Sequence, residues 1–156
     1  MGIRQTSPRA EDPLVQGSDL EDLVGYNLKR AYVIVSTDFR NALGEDGFAP
    51  RPFSALSLIV QFPGITQSEL ARKLGIERSG LVAIVDELEG RGYLQRQAVP
   101  GDRRVQALAP TEAGQAAYLR AQEVVREHEA KLLAHLTAQE RETLLSLLRK
   151  IRQVES

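Results

Sequence analysis

Sulfur is nearly absent from this chain: among 156 residues there is no Cys and one Met, and Trp is missing as well. Without a thiol there can be no disulfide, no thiolate metal site, no thiol redox sensor and no Cys nucleophile. Long apolar runs are missing too. Leu81-Val82-Ala83-Ile84-Val85, with five residues, is typical of the longest, whereas a membrane-spanning helix needs about 20. No apolar signal-peptide segment follows the N-terminus. A soluble, cytoplasmic protein without membrane partners is the expectation. An excess of one charge is also lacking: 20 Lys and Arg against 21 Asp and Glu leave a net charge of -1. That balance neither demands nor forbids nucleic acid. A chain of this length can bury roughly 70% of its unfolded surface, enough for a core without covalent staples.

Charge by segment adds little. Residues 66–110 carry 7 basic and 6 acidic side chains, which is no polybasic patch. A nucleic-acid reading must therefore rest on where a few Arg residues sit.

Residues 1–18, with Pro8, Pro13 and Gly17, read as a mobile N-terminal tail. Gly2 and Thr6 match a myristoylation spacing, but no second membrane signal accompanies them. Ser18 or Asp19 is placed to cap a helix over 19–43, whose stripe includes Leu20, Leu23, Val24, Leu28, Ala31, Val35, Phe39 and Leu43. Residues 44–52, rich in Gly and Pro, read as a loop, and 53–62 as a helix stopped by Pro63-Gly64. Thr66 with Glu69 forms a capping box. It opens a short helix that ends at the turn Gly75-Ile76, and a further helix covers 77–90. The period then changes. Residues 93–97 and 104–108 read as two strands around Pro100-Gly101-Asp102, a β-hairpin. A helix from Thr111-Glu112 to about Leu136 and a last helix over 138–154, opened by a Thr137–Glu140 capping box, complete the chain.

Two short helices joined by a tight Gly turn are a helix-turn-helix. Its second helix presents its N-terminal half to a major groove. That half holds Arg78, with a fork suited to a guanine edge, followed by Ser79, Gly80 and Val82. Thr66, Gln67 and Ser68 begin the first helix, where side chains and free N–H groups suit phosphate. The hairpin tip carries Asp102-Arg103-Arg104. A guanidinium on a protruding tip suits the narrow minor groove. Asp102 repels phosphate, and is best read as a local partner that aims one neighbouring Arg. Arg104 is left open between a phosphate contact and a pair with Asp102. Arg72, Lys73, Arg91 and Arg96 read first as ordinary solvated charges.

Residues 53–114 resemble the winged-helix core of the MarR family of bacterial transcription regulators. Thr66 to Ile76 resembles the first helix of the family's motif, and Val85 to Leu94 the end of its recognition helix. Asp102-Arg103-Arg104, then Leu108, Thr111 and Gly114, is similar to its wing signature. Gly80 and Ala83 depart from the usual pattern, in which longer or polar side chains stand there. The resemblance implies a mainly α fold with a small β-hairpin wing, a winged helix-turn-helix core flanked by long dimerisation helices. In those terms 1–18 is a tail, 19–52 the N-terminal dimerisation helix and loop, 53–110 the DNA-binding core, and 111–156 the C-terminal dimerisation helices.

Helix lengths point the same way. A helix over 112–136 would be roughly 37 Å long at 1.5 Å per residue, too long to bury its stripe on a small winged helix. A two-fold homodimer joined by terminal helices covers the surplus. It presents two recognition helices to successive major grooves of a pseudo-palindromic double-stranded operator, about 34 Å apart. The resemblance further implies a repressor released by a small-molecule effector, among relatives commonly an aromatic carboxylate or its thioester. Tyr26, Arg30, Phe39, Arg40 and Phe48 are the candidate pocket residues, with Tyr32 and Phe53 as further aromatics; each is equally readable as core or surface. His128 and His135, seven residues apart on one expected helix, lack further ligands for a metal and read as packed or interfacial. No Ser/His/Asp spacing, metal cluster or phosphate-cradling Gly loop points to catalysis, so no catalytic residue, metal or cofactor is expected. The rival reading is a winged helix that binds protein rather than DNA; the wing arginines speak against it.

Overall fold

The computed structural model describes residues 17–44 and 47–153. Residues 1–16 of the expected tail, including Gly2 and Thr6, lie outside the described residues, as do Glu45, Asp46 and the last three positions. The chain divides into two units, Met1–Ser36 and Thr37–Ser156.

In the first unit Asp19–Asp22 forms a single 3-10 turn, and helix α1 (Val24–Leu43) starts after it, its residues from Thr37 onwards counting with the second unit. The helix expected from residue 19 thus begins five residues later. Ser18 caps only the short turn, without a side-chain bond. The Asn27 amide donates to the Glu21 and Leu23 carbonyls at 2.7 and 2.9 Å, holding the bend between turn and helix.

In the second unit helix α2 (Pro50–Gln61) begins three residues before the expected start. Pro50 occupies the first turn, where its missing N–H would have no partner in any case. The strand β1 (Ile65–Thr66), helix α3 (Gln67–Leu74) and helix α4 (Arg78–Gly90) follow. Gly75, with φ +64°, ends α3 in the left-handed region. Strands β2 (Leu94–Val99) and β3 (Asp102–Pro110) form the hairpin and extend further than expected. All pairs are antiparallel, in the order β1-β3-β2, with Ile65 opposite Leu108 and Leu94 opposite Pro110. β1 was not foreseen: two residues carry no period of their own, and only the distant β3 makes them a strand.

Helix α5 (Glu112–Leu132) ends four residues short of the expected Leu136, and helix α6 (Ala138–Arg152) follows. His135 therefore lies in the connection beyond α5, and the shared helical face with His128 does not form. Among the described residues no group of three His, Asp or Glu side chains is arranged to hold a metal. No described helix is long and apolar enough to cross a membrane.

The core gathers Leu56 and Ile59 of α2, Leu70 of α3, Leu81, Val85 and Leu88 of α4, and Leu108 of β3, all fully buried. These are the inward positions of each short helix, so burial fixes which face of α4 points out. By contrast α1 and α6 contain no buried residue.

Candidate nucleic-acid interface and adjoining cavity

The start of α3 is set by the Thr66 capping box. The Glu69 N–H donates to Thr66 Oγ1 at 3.2 Å, and the Thr66 N–H donates to Glu69 Oε2 at 2.9 Å. These bonds hold the Glu69 carboxyl below the ordinary carboxylate range, the main-chain bond first, helped by Arg72 and Lys73. The Gln67 amide reaches Gln106 of β3 at 3.4 Å, tying the helix to the wing.

Arg78 and Ser79 are exposed at the first turn of α4, and Gly80 is half-buried. Glu77 precedes the helix without a side-chain cap bond. A Cβ on Gly80 would meet nothing within 4 Å, so packing does not require glycine there. Val82 is 39% exposed. With Leu81, Ile84, Val85 and Leu88 buried, the outward stripe of α4 runs through Ser79, Val82, Ala83 and Asp86.

The wing tip turns through Pro100 and Gly101, the latter at φ +86°. A bulge between Ala98 and Val99 breaks the ladder there, so Asp102 pairs with Val99 while Gln106 pairs with Ala98. Arg103 and Arg104 are exposed on this irregular stretch. Asp102 does serve as a local partner, but of the main chain: its Oδ1 accepts from the Arg104 N–H at 2.9 Å. Among the described residues neither wing guanidinium forms an ion pair.

Thr111 and Gly114 have a structural part. The Thr111 hydroxyl donates to the Gly92 carbonyl at 2.6 Å and accepts from the Gly114 N–H at 3.0 Å. The Thr111 N–H donates to the Tyr93 carbonyl. The two residues thereby bolt α5 to the loop that joins recognition helix and wing.

Three other basic residues are engaged within the fold. Arg96 pairs with Asp86 and Glu89, Arg91 pairs with Glu87, and the Lys73 ammonium sits 5.0 Å from the Phe62 ring centroid.

A small open cavity of about 140 Å³ lies in the same unit, walled by Phe48, Tyr93 and residues of α5 that include Ala117, Arg120 and Val124. Of the candidate pocket residues only Phe48 lines it, and Phe48 is also a core residue, its ring tilted against that of Tyr93 with centroids 5.7 Å apart. Phe39 packs edge-on against Phe53 at 5.4 Å, Phe53 against Tyr118 at 5.9 Å, and Arg40 is exposed. Tyr26 and Arg30 belong to the first unit, where the guanidinium sits 5.8 Å from the ring centroid. Tyr32 is exposed. Sequence reasoning missed Arg120. Only the facing of α5 brings this cation to the cavity that Phe48 and Tyr93 also line, and no local pattern announces it.

Residues 46–105 match the MarR family profile. A Thauera aromatica protein named as a transcriptional regulator for the hcr operon is 33% identical over 92% of this chain and 86% of its own length. The protein belongs to the MarR family. The transcriptional repressor CouR bound to a 23-mer DNA duplex superposes with a TM-score of 0.83, at 40% identity over 86% of this chain and 96% of that one. CouR bound to p-coumaroyl-CoA gives 0.80, at 37% identity over 90% and 99%. The protein is accordingly a DNA-binding transcriptional regulator of the winged-helix type.

Proposed function

We propose that this MarR-family protein works in the cytoplasm as a homodimeric repressor, seated on a pseudo-palindromic operator and released by an anionic aromatic ligand. The observation that carries this reading is the Arg103–Arg104 tip, free of ion pairs among the described residues and standing on the same sheet that α3 and α4 pack against. In this reading Arg78 and Ser79 probe base edges in the major groove. Gly80 lets the backbone come close, and Val82 offers an apolar contact. Thr66, Gln67 and Ser68 fix the register on phosphate, and Arg103 and Arg104 enter the minor groove. Residues 53–110, with the first turn of α2, act as the DNA-binding core.

Dimerisation rests on the apolar side chains that one chain leaves uncovered. In α1 these include Tyr32, Val33, Ile34 and Val35; in α6 they include Leu144, Leu145, Leu147 and Ile151. Helices without a buried residue leave apolar surface that their own chain does not cover, and a second copy supplies the missing partner.

The effector reading rests on CouR, held with p-coumaroyl-CoA, and on the cavity itself. Its volume suits one aromatic ring against the wall formed by Phe48 and Tyr93, with Arg120 on the same lining for an anionic group. Sites for drug-sized ligands are larger, about 300 Å³ upwards, so the remainder of a thioester stays outside. Phe39 and Arg40, in the same unit, are then contributors to the outer part of the site or to its frame. Ligand binding releases DNA only if the ligand favours a spacing of the recognition helices that misses the grooves.

Selection of duplexes from a random pool, followed by footprinting, tests the DNA reading: two symmetric half-sites are expected, and a single asymmetric one overturns the dimeric arrangement. Adding p-coumaroyl-CoA or free p-coumarate to the selected complex tests the effector class. Release by either supports it, and retention of DNA with both overturns it.

A further inference from the structure

Helix α4, the element read as entering DNA, is acidic. Its charged residues are Arg78 at the start and Asp86, Glu87 and Glu89 towards the end, and its last turn carries no base. Two effects work against such a helix. Carboxylates near a helix C-terminus oppose the backbone dipole. They also turn negative charge towards the phosphates of any groove the helix enters. Asp86 is the most exposed to the second effect, since it continues the outward stripe of Ser79, Val82 and Ala83.

All three carboxylates are met from behind. The Arg96 guanidinium, on β2 of the wing, pairs with Asp86 through Nη2 and approaches Glu89 with Nε at 3.5 Å. Arg91, just past the helix, reaches Glu87 at 3.9 Å and is held over the Phe48 ring at 5.3 Å. The Arg96 side chain is only 26% exposed, whereas its partners Asp86 and Glu89 are 59% and 44% exposed. The cation is thus the inner member of the cluster and the anions the outer ones, a poor arrangement for a phosphate contact and a good one for cancelling charge.

We propose that Arg96, supported by Arg91, is a charge-cancelling residue of DNA binding. Set behind the recognition helix, it neutralises Asp86 and Glu89 so that an acidic helix can approach the duplex, and it acts through those carboxylates rather than by touching DNA. The proposal rests on the reading of α4 as the DNA-entering helix.

The test uses the full chain and a labelled duplex recovered from a random pool by the unaltered protein. If the unaltered protein recovers no duplex, the DNA reading itself fails. With a duplex in hand, Arg96→Gln is expected to bind about tenfold more weakly, as like charges are brought together. The slope of log affinity against log salt is expected to stay as it was. Adding Asp86→Asn and Glu89→Gln to that variant is expected to restore most of the affinity. Three results overturn the proposal: full affinity in Arg96→Gln; a slope shallower by about 0.9 without rescue, the mark of a lost phosphate contact; or a triple variant no better than the single one, which makes Arg96 a mechanical tie. Should Arg96→Gln fail to fold, Asp86→Asn with Glu89→Gln beside an intact Arg96 decides. Charge cancellation then gives binding at least as tight as the unaltered protein, and a mechanical tie gives weaker binding.

Discussion

A Cβ placed on Gly114 would stand 1.9 Å from the carbonyl oxygen of Tyr93. Backbone lies against backbone there, so no side-chain adjustment relieves the overlap. Gly114→Ala is expected to lose about 1–3 kcal/mol of stability, the usual range for forced overpacking. Gly80→Ala is the control, because its Cβ meets nothing; it is expected to gain up to about 1 kcal/mol from helix propensity. Urea unfolding of both variants checks the contrast.

The Thr66–Glu69 box makes the start of α3 sensitive to acid. Glu69 titrates below the ordinary range because the Thr66 N–H, then its hydroxyl, bond the carboxylate. On acidification the unfolded chain takes up its proton first. The contribution of Glu69 is therefore whole above about pH 4.3, the ordinary glutamate value, and is lost as pH falls through the lowered folded value. Glu140, bonded in the same way by Thr137, behaves alike. Replacing both by Gln is expected to flatten the dependence of unfolding free energy on pH between about 3 and 6; an unchanged profile rejects the role of the boxes.

Arg103→Ala is expected to weaken binding to a selected duplex and to make the salt slope shallower by about 1, as for one lost phosphate contact. Sedimentation should show the dimer intact. Fluorescence anisotropy at several salt concentrations gives the measurement, and unchanged affinity removes Arg103 from the interface.

Leu145 and Leu147 are each 51% exposed on α6. Glu at both positions places charge where two copies are expected to meet, and like charges across an interface cost several kcal/mol. The variant is expected to sediment as a monomer at micromolar concentration and to lose the symmetric footprint. A dimer that survives both changes places the interface elsewhere.

What could be read from the sequence was whatever is written locally. Thr66 and Glu69, or Thr137 and Glu140, stand three residues apart and define their own helix starts. The Gly75 turn and the change of period after Gly92 are equally local, so the helix-turn-helix and its wing were visible. Pro50 misled because proline in a first turn looks like proline in a loop. α5 was drawn too long because Leu136, four residues after Leu132, continues an apolar spacing that the backbone does not follow. The pairing of Arg96 with Asp86, ten residues apart on a helix and a strand, depends on tertiary placement alone. So does the place of Arg120 in the cavity wall. The elements of the helix-turn-helix and its wing were thus legible and the cavity was not.

None of the side chains of α1 or α6 is buried within a single chain. If these segments supply the contacts between subunits, the two activities can be lost separately, with opposite genetic behaviour. A copy damaged only at its wing still pairs, and draws healthy chains into mixed assemblies with one working half; such alleles are dominant. A copy damaged in α6 stays alone and leaves the healthy pool untouched, so such alleles are recessive.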